Sequence, residues 1–227
     1  MADQISFTIN LAPGVMTELS NGGYSLCMSN VVGKLSGNVA TVALSPTGEH
    51  GEAPDVTIIF VADDNPAFTA INKFSWNVTY SIAATKTPWE DGVLVEGQSQ
   101  IVPIPLGSRY ELGEWSAPPK VTTGVAGKLG FSTTKYNASP IVYLDKVAAN
   151  KNTISPAPIY VAPKQVLFPG EDVLTPKVAV IIYFAQDIVT STMTANTSSM
   201  KVNIDLTNQL TGQVWALGDD HKWTKQA

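Results

Sequence analysis

The stretch FSWNVTYSI, residues 74–82, decides the predicted fold class of this chain. Its apolar and aromatic side chains alternate with small polar ones, which is typical of a strand with one buried face. Met200–Leu206 repeats this alternation, and Gln4–Leu11 shows it less regularly. Val56–Ala62 and Val178–Phe184 are apolar on both faces, which predicts strands in the interior of a sheet. Alternation with a period of two therefore predicts a chain built mainly from strands.

Turn-forming residues separate these runs, for example at residues 21–23, 46–48, 91–92 and 169–170. Short strands at such spacing are typical of a β-sandwich or a jelly roll. No window of about eleven residues has a convincing helical period, and one helical turn is expected at Val147–Asn150. We therefore predict an all-β fold, an antiparallel β-sandwich or jelly roll with very little helix, built from two packed sheets.

The chain has 227 residues, which suits a single β-sandwich domain over residues 1–227. Residues 112–140 are poorer in periodicity and rich in Gly, Pro, Ser and Thr. They either divide the chain into two β units or form a long loop over one end of a sandwich. Ile101–Leu106 alternates as well, but Pro103 and Pro105 lack backbone N–H donors, which predicts a strand at a sheet edge.

Composition argues against several classes of partner and points to a compartment. The net charge of −5 disfavours binding to nucleic acid or to an anionic membrane surface. No apolar run approaches the roughly 20 residues of a membrane span, and the N-terminus lacks the basic region of a signal peptide. Cys27 is the one cysteine of the chain, so no intrachain disulfide can form, which favours a reducing compartment. We predict a cytoplasmic protein with no membrane span and no nucleic-acid partner.

The side chains of common catalytic and metal sites are not found at the required spacing. His50 and His221 are far apart, and neither has a second His or Cys at ligand spacing. The acidic residues around His50, in residues 49–55, form either a site for a hard cation or a solvated turn. Cys27 lies in an apolar segment, which predicts a buried and inert thiol. We therefore expect no metal and no cofactor.

Arg109, the one arginine of the chain, is the first candidate functional residue. Its planar guanidinium carries several donors, which could hold a polar oxygen of a ligand. Tyr110 follows it directly, so we predict Arg109 and Tyr110 as catalytic side chains. The alternative is a surface ion pair between Arg109 and Glu111 or Glu114.

Aromatic side chains are the second group of candidates. Trp89 and Trp115 lie in predicted loops, where a tryptophan caps the core, lines a pocket or faces a partner. Trp76 lies in a clear strand and is expected in the core, and Tyr80 continues the same alternation. Trp89, Trp115, Trp76 and Tyr80 are the predicted substrate-binding residues, and the predicted partners are hydrophobic small molecules.

Five segments of the chain together resemble a group of intracellular fungal β-sandwich proteins. They are NGGYSLCM (21–28), FSWNVTY (74–80), DGVLV (91–95), YFAQD (183–187) and VNIDLT (202–207). The similarity spans residues 4–217, and the group includes proteins that resemble cofactor-free hetero-Diels–Alderases of tropolone-sesquiterpene biosynthesis. The resemblance implies a pericyclase of fungal secondary metabolism and carries no site residue over to this chain.

A cycloaddition of this kind joins a quinone-methide-like diene to an alkene and needs orientation rather than a nucleophile. Holding two partners in register can be worth an effective molarity of roughly 10⁵ M. Donors to the diene oxygen would make the diene more electrophilic. Arg109 and Tyr110 are expected to supply these donors under an aromatic lid of Trp89 and Trp115.

Two other classes of function remain open. The first is a lectin-like, lipid-binding or pore-forming defence protein, because loop aromatics stack on sugars and the Ser/Thr-rich segment Thr190–Ser199 is typical of pore-forming hairpins. The second is a self-associating protein, a possible homo-oligomer, in which the edge Ile101–Leu106 would form the contact.

Overall fold

The computed structural model describes residues 4–34, 57–58, 60–61, 68–194 and 200–226. Strands dominate these ranges, and the helix found among them is the short α1 (Pro13–Asn21), so the prediction of an all-β fold with very little helix is confirmed. The strands are β1 (Gln4–Leu11), β2 (Tyr24–Lys34), β3 (Thr57–Ile58), β4 (Phe60–Val61), β5 (Ile71–Asn77), β6 (Tyr80–Thr85), β7 (Val102–Ile104), β8 (Ser108–Leu112), β9 (Lys120–Thr123), β10 (Leu129–Thr133), β11 (Ser139–Leu144), β12 (Val147–Ala149), β13 (Asn152–Ile154), β14 (Ala157–Val161), β15 (Gly170–Gln186), β16 (Met193–Thr194), β17 (Val202–Asp205), β18 (Gln213–Leu217) and β19 (Trp223–Lys225).

The described strands belong to four sheets rather than to the two that we expected. The first sheet has the order β13-β12-β5-β1-β18-β19, and the second has the order β4-β2-β15-β10-β8-β9 with β17 also paired to β15. The third sheet has the order β14-β11-β6-β7, and β16 pairs with β3. Most pairings are antiparallel, but β1 runs parallel to β18 and β8 runs parallel to β10. The architecture is therefore sandwich-like with mixed pairing in its two largest sheets.

The core follows the alternation that the sequence predicts. On β1, Ile5, Phe7 and Ile9 are buried, while the residues between them are half-buried. Phe7 stacks on Phe74 of β5 with ring centroids 5.0 Å apart and meets the edge of Trp76 at 6.0 Å. Such aromatic pairs add to the free energy gained from apolar burial. The first core cluster, a contact network of buried apolar side chains from Ile5 to Leu217, includes this group.

The stretch at residues 74–82 forms two strands and not the single strand that its alternation indicates. β5 ends at Asn77, where the Thr79 N–H donates to the Asn77 carbonyl at 2.9 Å, and β6 begins at Tyr80. β5 belongs to the first sheet and β6 to the third. The prediction of one continuous strand is wrong because a tight turn of two residues leaves the period of two unchanged.

The expected helical turn at Val147–Asn150 is also wrong. Val147–Ala149 forms β12, which pairs with both β5 and β13. Asn150 has a φ of 50°, a left-handed conformation that suits the turn between β12 and β13. Pairing with neighbouring strands decides the structure of this segment, and that pairing is invisible in a local window.

Two predictions from strand composition are confirmed. Val178–Phe184 lies within β15, and this part of the strand pairs with β2 on one side and with β17 on the other. The proline-containing segment forms β7, the last strand of the third sheet. Within the predicted strand Val56–Ala62, residues 56, 59 and 62 lie outside the described residues, as do the acidic loop at residues 49–55 and residues 195–199.

The carboxylate of Asp219 takes the place of an N-terminal cap for α1. The N-cap residue Ala12 has no side-chain acceptor, and Asp219 Oδ1 accepts from the Val15 N–H at 3.0 Å. Gly14 permits this approach, because a Cβ there would lie 2.6 Å from Asp219 Oδ1. A distant loop therefore fixes the start of the helix.

Asp219→Ala should lower the free energy of unfolding by about 1 kcal/mol, which is the usual loss for a helix cap. Asp220→Ala is the matched control, because the Asp220 side chain contacts only the exposed Lys222 among the described hydrogen bonds and ion pairs. Urea unfolding of both variants measures the difference, and equal losses would contradict the capping role.

Candidate functional site

The third sheet carries apolar side chains on both of its faces. Successive side chains on a strand point to opposite faces. On β6, Ile82 and Ala84 pack into the first core cluster, while Ala83 points the other way. We call the second group the outer cluster, and its buried members are Ile58, Ala83, Ile141, Tyr143, Val161 and Met193.

A segment that we call the strap, residues 92–99, runs across the outer cluster. At its start, the Gly92 N–H donates to the Met193 carbonyl at 2.9 Å, and the Met193 N–H donates to the Val93 carbonyl at 2.8 Å. At its end, the Ala84 N–H donates to Ser99 Oγ at 2.7 Å. Gly97 lies close against Tyr143, whose hydroxyl would be 2.8 Å from a Cβ at that position. The strap is therefore held at both ends and pressed on the sheet between them.

A cleft of about 280 Å³ lies between the strap and the third sheet. This volume is near the lower end of the roughly 300–1,000 Å³ typical of ligand pockets, and it suits one compact small molecule. Six lining residues are apolar and four are polar: Val93, Leu94, Val95, Ile141, Val161 and Met193, then Thr85, Thr87, Glu96 and Gln98. The cleft therefore combines an apolar floor with a few hydrogen-bonding groups.

Thr85 and Gln98 supply donors to this cleft. Thr85 Oγ1 accepts from the Thr87 N–H at 3.1 Å, and the hydroxyl keeps its own proton as a donor. Gln98 Oε1 accepts from the Lys86 N–H at 2.8 Å, which orients the side-chain amide and leaves its NH₂ group as the donor. The polar lining thus has donors on Thr85 and Gln98, whereas the carboxylate of Glu96 is an acceptor.

Arg109 lies on β8, outside the residues that line the cleft. Its Nη2 is 2.9 Å from Glu171 Oε2, and both side chains are partly exposed. The partner is therefore Glu171 of β15 and not Glu111 or Glu114. Glu111 instead accepts from Thr122 Oγ1 at 2.7 Å, and Glu114 accepts from Lys135 and Tyr136.

Tyr110, the neighbour of Arg109, is fully buried and stacks on Phe131 with ring centroids 5.8 Å apart. Its hydroxyl lies 2.7 Å from Ser99 Oγ and donates to the Gln100 carbonyl at 3.3 Å. Burial raises the Tyr110 pKa, and the Ser99 hydrogen bond partly offsets this. Because Ser99 Oγ also accepts from the Ala84 N–H, the Tyr110 hydroxyl contacts the end of the strap.

Trp89 lies beside the cleft without lining it. Its ring packs against the outer cluster together with Val95, and its backbone N–H donates to the Ala162 carbonyl at 3.2 Å. Trp115 lies in a different surface group, 6.0 Å from the Tyr136 ring and with Lys86 Nζ 5.2 Å from its own ring centroid. We call Trp115, Tyr136, Glu114 and Lys86 the Trp115 group. The two loop tryptophans therefore belong to separate groups of side chains.

Trp76 and Tyr80 pack with the first core cluster. Trp76 is buried against Phe7, and half-buried Tyr80 packs on the same cluster. Burial raises the Tyr80 pKa to about 12, so its hydroxyl stays protonated at neutral pH. The substrate-binding role of these two aromatics stays a prediction, as does the catalytic role of Arg109 and Tyr110.

The cleft residues themselves were not identified from sequence as site residues. Ile141 and Val161 have the pattern of buried strands, which indicates burial without saying on which face a cleft lies. Met193 and Val93 come together through backbone hydrogen bonds between distant segments. Their one shared sequence signal is apolar character, and this is common to the whole core.

The thiol of Cys27 has the environment of an inert side chain. Cys27 is fully buried, and burial raises its pKa to about 12, which disfavours the thiolate at neutral pH. Within the described ranges, no three His, Cys, Asp or Glu side chains are grouped to hold a metal ion. No helix in the part of the chain that the structure covers has the length and apolar character to span a membrane.

Comparisons with known proteins give no relative from which a function could be transferred. No protein-family model matches the chain, and no curated protein and no solved structure matches it significantly.

Proposed function

We propose that the protein binds a small, mostly apolar molecule in the cleft between the strap and the third sheet. The observation that carries this proposal is the pair of apolar faces on one sheet. One face forms the core, while the other, with Ile141 and Val161, lines a cleft of about 280 Å³. A concave apolar surface with a few convergent polar groups is the usual form of a small-molecule site.

We further propose that the bound molecule reacts there in a cofactor-independent hetero-Diels–Alder reaction. A heterodiene C=C–C=O adds across an alkene, so that one C–C and one C–O σ bond form while two π bonds are lost. No atom leaves and no oxidant or reductant is consumed. Enclosure of one partner, with the other entering over the exposed strap residues, would supply the orientation that accelerates such a step.

The cleft residues have distinct tasks in this proposal. The side chains of Ile141, Val161 and Met193 hold the hydrocarbon part of the ligand by apolar contact. The donors of Thr85 and Gln98 face an oxygen of the diene and stabilise the charge that develops on it. Tyr110 keeps the strap in place through Ser99. We place this activity in the cytoplasm and in fungal secondary metabolism, on the basis of the lone Cys27 and of the resemblance described above.

The test uses wild-type protein and Val93→Trp, which would fill the cleft from a lining position that is 36% exposed. Each is incubated with a generated tropolone quinone methide and humulene, and the adducts are separated by chiral chromatography. We expect the wild type to give one stereoisomer in excess and Val93→Trp to lose at least about tenfold of that catalysed product, since about 1.4 kcal/mol of lost binding suffices.

The matched control is Val121→Trp, which adds the same bulk at an exposed position on β9. It should behave as the wild type. Product stereochemistry in all samples identical to that of the protein-free reaction would reject the enzyme proposal.

The Trp115 group favours a second candidate function, binding of a saccharide. Trp115 is partly exposed and flanked by Tyr136, and Glu114 accepts hydrogen bonds from Tyr136 and Lys135. An aromatic face beside a carboxylate suits the apolar and hydroxyl surfaces of a sugar ring. A glycan array with wild type and Trp115→Ala tests this, and liposome leakage tests the lipid-binding and pore-forming alternative; a pericyclase should be silent in both.

Self-association through the edge strand β7 stays a prediction from sequence. Light scattering over a range of concentrations measures the mass, and a constant monomer mass would contradict a homo-oligomer.

A further inference from the structure

Ser139 is a buried polar residue on the same sheet face as the cleft. It lies two residues before Ile141 on β11 and directly opposite Thr85 of β6 in antiparallel register. Side chains two apart on a strand, and side chains of directly opposed residues, share a face. Ile141 and Thr85 both line the cleft, so the Ser139 side chain lies on the cleft side of the sheet.

The Ser139 hydroxyl has no described hydrogen-bond partner. Its side chain is fully buried, and Oγ finds no donor or acceptor among the residues that the structure describes. Such a group is costly to bury, and most buried hydroxyls in proteins are paired. The Ser139 hydroxyl therefore needs a hydrogen-bond partner other than the described residues, such as a bound ligand.

Trp89 brings a second buried donor to the same end of the sheet. The Trp89 backbone N–H donates to the Ala162 carbonyl, and the Ala162 backbone N–H donates to the carbonyl of Pro140, the residue after Ser139. The Trp89 ring packs on the outer cluster, and its Nε1 is buried without a hydrogen-bond partner in the described ranges. Two unpaired polar atoms thus lie near one end of the cleft floor.

We propose that Ser139, Thr85 and Trp89 form a polar subsite at the inner end of the cleft, which binds the carbonyl oxygen of an otherwise apolar ligand. This inference rests on the proposed function, because the ligand occupies the same cleft. The indole Nε1 is a donor only, and the Thr85 hydroxyl, whose oxygen already accepts from the Thr87 N–H, keeps one proton to donate. A carbonyl oxygen, which only accepts, matches such a set better than an alcohol or an amine.

Trp89 also closes the subsite in this proposal. Ser139 is fully buried while Thr85 lines the cleft, so a carbonyl group reaches Ser139 only after a side chain above it moves. Trp89 packs over this face and is anchored there by one described backbone hydrogen bond. Rotation of its ring would open the floor, and its Nε1–H would then join the donors around the oxygen.

The test compares two probes of the same shape, 2-adamantanone and 2-methyleneadamantane, by ligand-observed NMR titration. Wild type should bind the ketone more tightly than the alkene. Ser139→Ala should weaken ketone binding by about tenfold, on the scale of one buried hydrogen bond, and should leave alkene binding unchanged. Thr85→Val keeps the side-chain shape and Trp89→Phe keeps an aromatic ring, and each removes one donor. Both should weaken ketone binding in the same direction, so they provide the test if Ser139→Ala fails to fold.

The infrared carbonyl band of a ¹³C-labelled ketone distinguishes a direct hydrogen bond to Ser139 from a merely structural role, because a structural role would leave this band unchanged. Hydrogen bonds lower the carbonyl stretching frequency, so the bound band should shift down in wild type and partly return in Ser139→Ala. Equal affinities for the two probes, or a carbonyl band unaffected by all three variants, would overturn the subsite while leaving the cleft proposal standing. Val93→Trp with unchanged binding of both probes, or no binding to wild type, would instead overturn the cleft proposal itself.

Discussion

Raising the pH from about 9 to about 12 should remove most of the stability of this protein. Burial raises the pKa of Cys27 from 9.0 to about 12. Burial also raises the pKa values of Tyr80 and Tyr143 from 10.0 to about 12. The folded state therefore keeps these protons at a pH where the unfolded chain has lost them. Their contribution is complete below pH 9 and disappears as the pH rises to 12.

The size of this effect is set by the shift of each pKa. Complete titration lowers the free energy of unfolding by roughly 4 kcal/mol for the Cys27 thiol and by about 3 kcal/mol for each of the two tyrosines. Domains of ordinary stability unfold with about 5–15 kcal/mol, so the combined loss is comparable to the whole. We expect cooperative unfolding before pH 12 is reached.

Urea unfolding at pH 8, 9, 10 and 11 measures the slope of stability against pH. Cys27→Ala is the informative variant, because it removes the group that titrates first and should flatten the slope between pH 9 and 10. A stability that stays constant from pH 8 to pH 11 would contradict the burial of these groups.

Tyr110→Ala should lower the free energy of unfolding by about 3–5 kcal/mol, the usual loss for a buried aromatic side chain. The ring is fully buried against Phe131, and its hydroxyl holds Ser99 and Gln100 at the end of the strap. Tyr110→Phe retains the ring and loses these hydrogen bonds, so we expect a loss of about 1 kcal/mol. Chemical denaturation measures both variants.

Arg109→Ala is the matched control, because Arg109 precedes Tyr110 on β8. Its partly exposed ion pair with Glu171 should contribute only about 0–1 kcal/mol. A loss for Arg109→Ala as large as that for Tyr110→Ala would contradict the described packing. If Tyr110→Phe abolished turnover while probe binding and stability stayed at wild-type values, Tyr110 would act directly in the reaction, as the sequence predicts, and not through the strap.

The strands were more predictable than the connections between them. Alternation in Gln4–Leu11 predicts the buried face of β1, because a half-buried strand must show its period in the sequence. The same alternation continues across residues 77–80, where the chain leaves one sheet for another. Helix α1 begins with Pro13, a favoured first residue, but its cap comes from Asp219, about 200 residues further along the chain.

The candidate site was much less predictable. Its floor takes one side chain each from β6, β11 and β14, and its wall depends on the hydrogen bonds of the strap. Arg109 and Tyr110 were expected to act together because they are neighbours. Neighbours on a strand point to opposite faces, so one reaches Glu171 at the surface and the other enters the core. Chemical type alone does not tell which face of which sheet is left for a ligand.

A crystal structure of the protein soaked with 2-adamantanone shows whether the cleft binds an apolar ketone. We expect the molecule between the strap and the third sheet, in contact with Ile141, Val161 and Met193 and with its oxygen toward Thr85. The same molecule bound at the Trp115 group, with the cleft unchanged, would contradict this expectation.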